Sequence, residues 1–236
     1  VDMLLVGDSL GMVIQGHRST VPVTVEDMAY HCFAVCNGLQ KKTLVMCDMP
    51  FMSYGTPEET LKNAACLMRD GRAHMVKMEG GEWLADSVRM LTDRGVPVCG
   101  HLGLTPQSVY QFGGFRIQGR TEEQFKQIKQ DAQALQDAGA SMLILECVPT
   151  ELSELITEQL TIPTIGIGAG KTCDGQILVT YDMLNLPAGK KPRFVRNFME
   201  GAESMQAAVE AYVQAVKNGE FPGPEHSFGL DKSARK

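Results

Sequence analysis

Short apolar runs alternate along the chain with longer stretches whose apolar residues recur every three or four positions. The runs Met3–Val6, Leu44–Met46, Met75–Met78, Val96–Cys99, Met142–Leu145 and Thr164–Ile167 predict strands, and Arg193–Asn197 predicts a seventh. Helices are predicted over Val25–Asn37 behind the cap Thr24, and from Pro57 to Asp70. Further helices are expected at Trp83–Arg94, Leu152–Leu160, Glu122–Ala138 before Gly139, and Ser204–Asn218 before Gly219. Thr56-Pro57-Glu58-Glu59 predicts a capping box with Pro57 at the first helical position.

Repeated strand–helix units argue for an α/β fold with a parallel sheet. The strands are continuous apolar runs rather than alternating ones, so both faces should be buried. Seven strands fit either a doubly wound sheet or a (β/α)8 barrel lacking one unit. Nothing divides the 236 residues, and 1–236 reads as one domain with a disordered tail at 229–236. The chain opens on Val1 directly before the first strand and reads as a piece of a longer protein.

Polar residues add the chemistry. Asp8-Ser9, Asp48, Lys77 with Glu79, His101 and Glu146 stand at or just past the C-terminal ends of five consecutive strands. A single Asp there is a routine turn or cap residue. Five successive ionisable strand ends instead point to one site, because parallel α/β folds gather those ends on one edge. Asp8 and Asp48 are hard oxygen donors suited to Mg2+. Lys77 and Glu79, two apart on a strand, face the same side, where the Lys could hold a carboxylate or an enolate. Glu146 follows the apolar run Met142–Leu145, which should raise its pKa and suit it to act as a general base.

Other features narrow the choice. A net charge of −6 with mixed signs excludes a basic nucleic-acid surface, and no apolar run reaches the roughly 18 residues of a membrane span. Seven cysteines without a CxxC pair read as reduced thiols of an intracellular protein, not as a zinc site. The glycines of Gly166–Gly170 miss the GxGxxG spacing, and Ile165 stands where a Walker loop needs Gly. His17, His31, His74 and His226 carry no assignment. The Gly-rich stretch "QFGGFRIQGR", which follows Pro106 without a helix between, is a candidate lid.

The segments "VGDSLGMVIQGH", "DMPFMSY", "VKMEGG", "PVCGHLGLTPQSV", "LECVP", "IGIGAG", "DGQILV" and "FPGPEHSF" occur in this order. They resemble the motifs of the ketopantoate hydroxymethyltransferase family, over almost the whole chain to about Phe228. The resemblance implies a (β/α)8 TIM barrel of the phosphoenolpyruvate/pyruvate type, with the family's first strand and helix missing here. It implies hydroxymethyl transfer from 5,10-methylenetetrahydrofolate to 3-methyl-2-oxobutanoate, the first step toward pantothenate and coenzyme A. It also implies Mg2+ on Asp8 and Asp48 with Glu79 nearby through water, substrate contacts from Asp8, Ser9, Asp48, Lys77 and His101, and Glu146 as the base. Self-association, typically as a homodecamer, is implied, with a cytoplasmic location in a bacterium and a mitochondrial one possible in a eukaryote. Two rivals are a Mg2+-dependent lyase or mutase of the phosphoenolpyruvate mutase/isocitrate lyase type, whose reactive-cysteine loop is not found here, and an inactive fragment that only associates with full-length subunits.

Overall fold

Every strand in the computed structural model lies parallel to its sequence neighbour, in the order β1 to β7. The structure describes residues 1–39, 43–186 and 191–230. The strands are β1 (Met3–Val6), β2 (Leu44–Asp48), β3 (Met75–Glu79), β4 (Val98–Gly103), β5 (Met142–Glu146), β6 (Thr164–Ile167) and β7 (Gly175–Gln176). A doubly wound sheet reverses its strand order at a switch point, and this order never reverses. Each crossover steps the same way, as in a TIM-like barrel wall. Among the described residues β1 and β7 are the sheet's two edges.

The connecting helices are α1 (Leu10–Val13), α2 (Val25–Gly38), α3 (Pro57–Arg69), α4 (Ala85–Thr92), α5 (Val109–Phe112), α6 (Glu122–Asp137), α7 (Thr150–Gln159), α8 (Thr180–Met183) and α9 (Met205–Lys217). None is long and apolar enough to cross a membrane. A reciprocal capping box forms at Thr24, whose hydroxyl accepts from Asp27 N while Asp27 accepts from Thr24 N. At Thr56 only half of the expected box forms. Its hydroxyl accepts from Glu59 N, but the Glu59 carboxylate takes the Thr56 hydroxyl instead of its backbone N–H.

Two apolar layers explain the strand sequences. Val45, Cys47, Val76, Met78, Val98, Leu143 and Leu145 face outward against Met28, Leu67, Leu91, Leu135 and Ile156 of the helices. Alternate strand residues Met46, Met75, Cys99, Met142, Ile144, Ile165 and Ile167 face inward against one another. Each such side chain contributes about 1.5–3 kcal/mol when fully buried. α6 lies so close to β4 that a Cβ at Gly100 would stand 2.8 Å from Leu135 Cδ1.

Several expectations change. No strand forms at Arg193–Asn197. Pro192 offers no N–H to a ladder, and Phe194 packs against the inward layer. The seventh strand is Gly175–Gln176, paired with Ile165 and Gly166. The helix expected from Trp83 begins as a 3-10 turn, Glu82–Leu84, because Glu82 N is drawn to Asp131 Oδ1 at 2.9 Å. Of the tail at 229–236, Leu230 is tied to Glu151 Oε2 through its N–H at 3.2 Å, and 231–236 lie outside the described residues.

Candidate active site

Asp48, Lys77, Glu79, His101 and Glu146 fall in phase with the inward layer, each an even number of positions after Met46, Met75, Cys99 or Met142. They form a charged layer above an apolar one. β4 starts two residues later than expected and runs four residues further, to Gly103, so His101 is a strand residue rather than a loop residue. Register sets Asp48 beside Lys77 and Glu79 beside His101. β1 ends one turn before Asp8, whose backbone N–H reaches Asp48 Oδ2 at 2.9 Å.

Lys77 is 3% exposed. Its Nζ lies 2.8 Å from Asp48 Oδ1, 3.5 Å from Glu79 Oε1 and 3.3 Å from His101 Nδ1. Burial disfavours its ammonium, but Asp48, Glu79 and Asp8 outweigh burial and hold its pKa well above the ordinary lysine value. Burial likewise opposes the Glu79 carboxylate, yet Lys77 and His101 bring its pKa below the usual range. Asp8 goes the other way. Burial, then Asp48 and Glu79, push it well above the usual range against Lys77 and Gln107. Three buried carboxyl groups therefore face one ammonium, and Asp8 is the one whose ionised form its surroundings disfavour.

His101 bridges this cluster to Glu146. Its Nε2 lies 3.3 Å from Glu146 Oε2, off the hydrogen-bond direction, and its Nδ1 lies 3.4 Å from Glu79 Oε1. Burial and Lys77 disfavour the imidazolium, but attraction to Glu146 and Glu79 carries the His101 pKa above its ordinary value. The Glu146 side chain is 15% exposed, so it is wetter than the apolar run before it suggests. Its position depends on Gly103, at φ +92°, where a Cβ would stand 2.2 Å from Glu146 O. Ser9 begins α1 without using its hydroxyl as a cap.

Two neutral residues complete the cluster and were not anticipated. Gln107 Nε2 donates to Asp8 Oδ2 at 2.7 Å and to Met49 O at 2.9 Å, while its backbone N–H donates to Glu79 Oε2 at 3.0 Å. The Tyr54 hydroxyl lies against Gln107 Oε1 and 3.3 Å from Glu79 O. Only membership of "DMPFMSY" and "PVCGHLGLTPQSV" marks them in the sequence. A 3-10 turn, Pro106–Ser108, and α5 fill the stretch expected to have no helix before the Gly-rich loop. Gln118 N pins that loop to Cys147 O at 3.0 Å. Among the described residues no three of His, Cys, Asp and Glu close around one point as a ready metal cage.

Solved structures share the architecture. A 2,3-dimethylmalate lyase of the PEP mutase/isocitrate lyase superfamily aligns with TM-score 0.53 and 17% identity, over 98% of this chain and 78% of that one. Oxaloacetate acetylhydrolase in complex with 3,3-difluorooxalacetate aligns with TM-score 0.51 and 12% identity, over 94% and 86%. At such identities the likeness concerns the fold alone. Sequence relatives go further. The 3-methyl-2-oxobutanoate hydroxymethyltransferase of Burkholderia vietnamiensis is 59% identical over 227 residues, 96% of this chain and 83% of the relative. The protein of the same name from Paraburkholderia phymatum is 57% identical over 228 residues, 97% and 83%. The family model of ketopantoate hydroxymethyltransferase matches residues 1–224, a span that includes every residue of the charged layer. With that match and those identities, the chain belongs to the ketopantoate hydroxymethyltransferase family.

Proposed function

We propose that this chain transfers a hydroxymethyl group from 5,10-methylenetetrahydrofolate to 3-methyl-2-oxobutanoate, giving 2-dehydropantoate. The observation that carries the reading is the convergence of Asp48, Lys77, Glu79, His101 and Glu146 on the inner face at the strands' C-terminal ends. The donor set suits Mg2+. Three buried carboxyl groups face one ammonium, so a cation would compensate the ionisation of Asp8 that its surroundings disfavour, and Asp48 Oδ1 has Lys77 beside it but accepts no well-directed hydrogen bond. Asp8 and Asp48 would hold the ion directly, with Glu79 through water, since Mg2+ keeps several waters and accepts few protein ligands. Bound there, Mg2+ supplies Lewis acidity toward the keto oxygen of the 2-oxo acid.

Glu146 takes the proton from C3 of the oxo acid. As the carbonyl becomes an enolate, negative charge grows on the keto oxygen, and the Lys77 ammonium stabilises that charge more than it stabilises the ketone. Ser9 contacts the oxo acid, and His101 lines its pocket and orients Glu146. The nucleophilic carbon attacks the methylene carbon of the folate as one of its C–N bonds breaks; the second C–N bond then breaks to release tetrahydrofolate, and water adds its hydroxyl to that carbon while protons pass to the folate nitrogens. His101 is the weaker candidate base, because it is 2% exposed and its two nitrogens lie between Glu79 and Glu146.

The test is hydrogen exchange at C3 of 3-methyl-2-oxobutanoate in deuterated water without folate. Glu146→Gln should abolish exchange while leaving substrate and Mg2+ binding within about tenfold, or about 1.4 kcal/mol. His101→Asn should slow exchange less. Parent-rate exchange in Glu146→Gln, with loss in His101→Asn, makes His101 the base. The reading extends to a homo-oligomer in a bacterial cytoplasm. Exposed Ile14, Tyr30 and Phe33 support association, and seven free cysteines suit a reducing compartment. Light scattering on the purified chain checks the assembly.

A further inference from the structure

Gln107 lies outside the strands yet ties three strand ends together: Asp8 after β1, Met49 after β2 and Glu79 at the end of β3. It is 5% exposed. A side-chain amide has two N–H donors, and both are used. The Met49 carbonyl can only accept, so the amide cannot flip, and its NH2 must face Asp8. The Tyr54 hydroxyl has one proton and two acceptors in reach, Gln107 Oε1 and Glu79 O, so it supports this orientation without being needed to set it. Asp8 is thus held by Oδ2, while Oδ1 receives no hydrogen bond among the described residues.

We propose that Gln107 is a positioning residue for Asp8: it fixes the carboxylate by one oxygen and thereby presents the other to the cation. The inference rests on the reading of Asp8 as a Mg2+ ligand. Without Gln107 a buried carboxylate loses a charge-assisted donor and is free to rotate away from Asp48. A residue that merely braced the loop would change stability and leave cation affinity alone.

The experiment is a calorimetric Mg2+ titration of the purified full chain, with steady-state kinetics and a metal-free melting curve. Gln107→Met keeps the volume and removes the donors. Gln107→Asn keeps an amide one methylene too short to reach Asp8, and serves where Met does not fold. Each should weaken Mg2+ binding about tenfold, equivalent to about 1.4 kcal/mol, and the kinetic loss should fall on the KM for the oxo acid rather than on kcat at saturating Mg2+. Parent Mg2+ affinity in either folded variant overturns the proposal, as does lowered metal-free melting with affinity intact. Asp8→Asn separates the two layers of the argument. It should abolish binding, and if it binds Mg2+ like the parent, the ligand role of Asp8 fails and the role of Gln107 fails with it.

Discussion

Replacing Lys77 with Met tests the charged layer as a whole. The substitution keeps most of the stem and removes the one ammonium that faces Asp48 at 2.8 Å and Glu79 at 3.5 Å. All three side chains are 4% exposed or less, so water cannot take the ammonium's place. Breaking a buried pair by deleting one partner costs about 3–5 kcal/mol. For a domain of this size each kcal/mol moves the melting temperature by about 2–4 °C, so the metal-free variant should melt about 6–20 °C below the parent. Mg2+ acts in the opposite direction. With the competing ammonium gone, the carboxylates should bind the cation more tightly, and Mg2+ should raise the variant's melting temperature by more than it raises the parent's. Turnover should still fall, with a higher KM for the oxo acid and a lower kcat, because the enolate is more negative at the keto oxygen than the ketone. The assay is a melting series in Mg2+ beside steady-state kinetics. A variant that melts within about 2 °C of the parent without metal, or gains no more from Mg2+, refutes the charge argument. A change confined to the folate KM refutes the placement of Lys77 beside the oxo acid.

Asp48→Ala removes one proposed Mg2+ ligand and the acceptor of the Asp8 N–H, so calorimetric Mg2+ binding and most turnover should be lost; unchanged affinity would sink the metal assignment. The pH dependence has a definite sign. Because Asp8 is held well above its ordinary pKa, the folded chain keeps a proton that the unfolded chain has released, and metal-free stability should fall as pH rises from the ordinary Asp value through the folded one. Mg2+ favours the ionised form, so its stabilising effect should grow over the same window, and an equal melting shift at about pH 5 and about pH 8 contradicts this. Gly103→Ala forces a side chain into φ +92° and against Glu146 O. It should cost roughly 1–3 kcal/mol from conformation alone and displace Glu146, so a denaturation midpoint and turnover equal to the parent's would be evidence against the close approach.

The charged layer was legible because ionisable residues inside apolar strands are expensive and stand out. Lys77 after Met75-Val76 and Glu146 after four apolar residues have no bland explanation of the kind a turn Asp has. Strand period two then assigns Lys77 and Glu79 to one face with no further information. Gln107 and Tyr54 escaped because an amide and a phenol in loop segments are ordinary, and only the fold brings them within reach of Asp8 and Glu79. The seventh strand was misplaced for a related reason. Gly175–Gln176 is two residues long and lacks a β-branched side chain, whereas Phe194 and Val195 look like strand residues until Pro192 and the pull of the barrel interior are considered. The degree of exposure of Glu146 was also beyond reach, since it depends on what lies above the strand end and not on the residues before it.

The two inward layers explain why the ionisable groups gather at this edge of the strands. Below the charges, Met46, Met75 and Met142 offer no hydrogen-bond donor and Cys99 turns its thiol to Gly100 O, so the ionisable groups must satisfy one another sideways. Register makes that possible, because Asp48 stands beside Lys77 and Glu79 beside His101, each pair on neighbouring strands. Backbone N–H groups of Asp8 and Gln107 take two of the remaining carboxylate oxygens. Three carboxyl groups against one ammonium make it costly to ionise all of them, and Asp8 is where that cost appears, since burial and its two acidic neighbours raise its pKa. A fully neutralised layer would be more stable and would have no reason to draw in a cation or the anionic oxo acid that chelates it. On the proposed reading, the strained charge balance would be the source of the Mg2+ affinity. Lys77 would then provide enough compensation for the chain to fold, and the remaining imbalance would give a divalent cation something to bind.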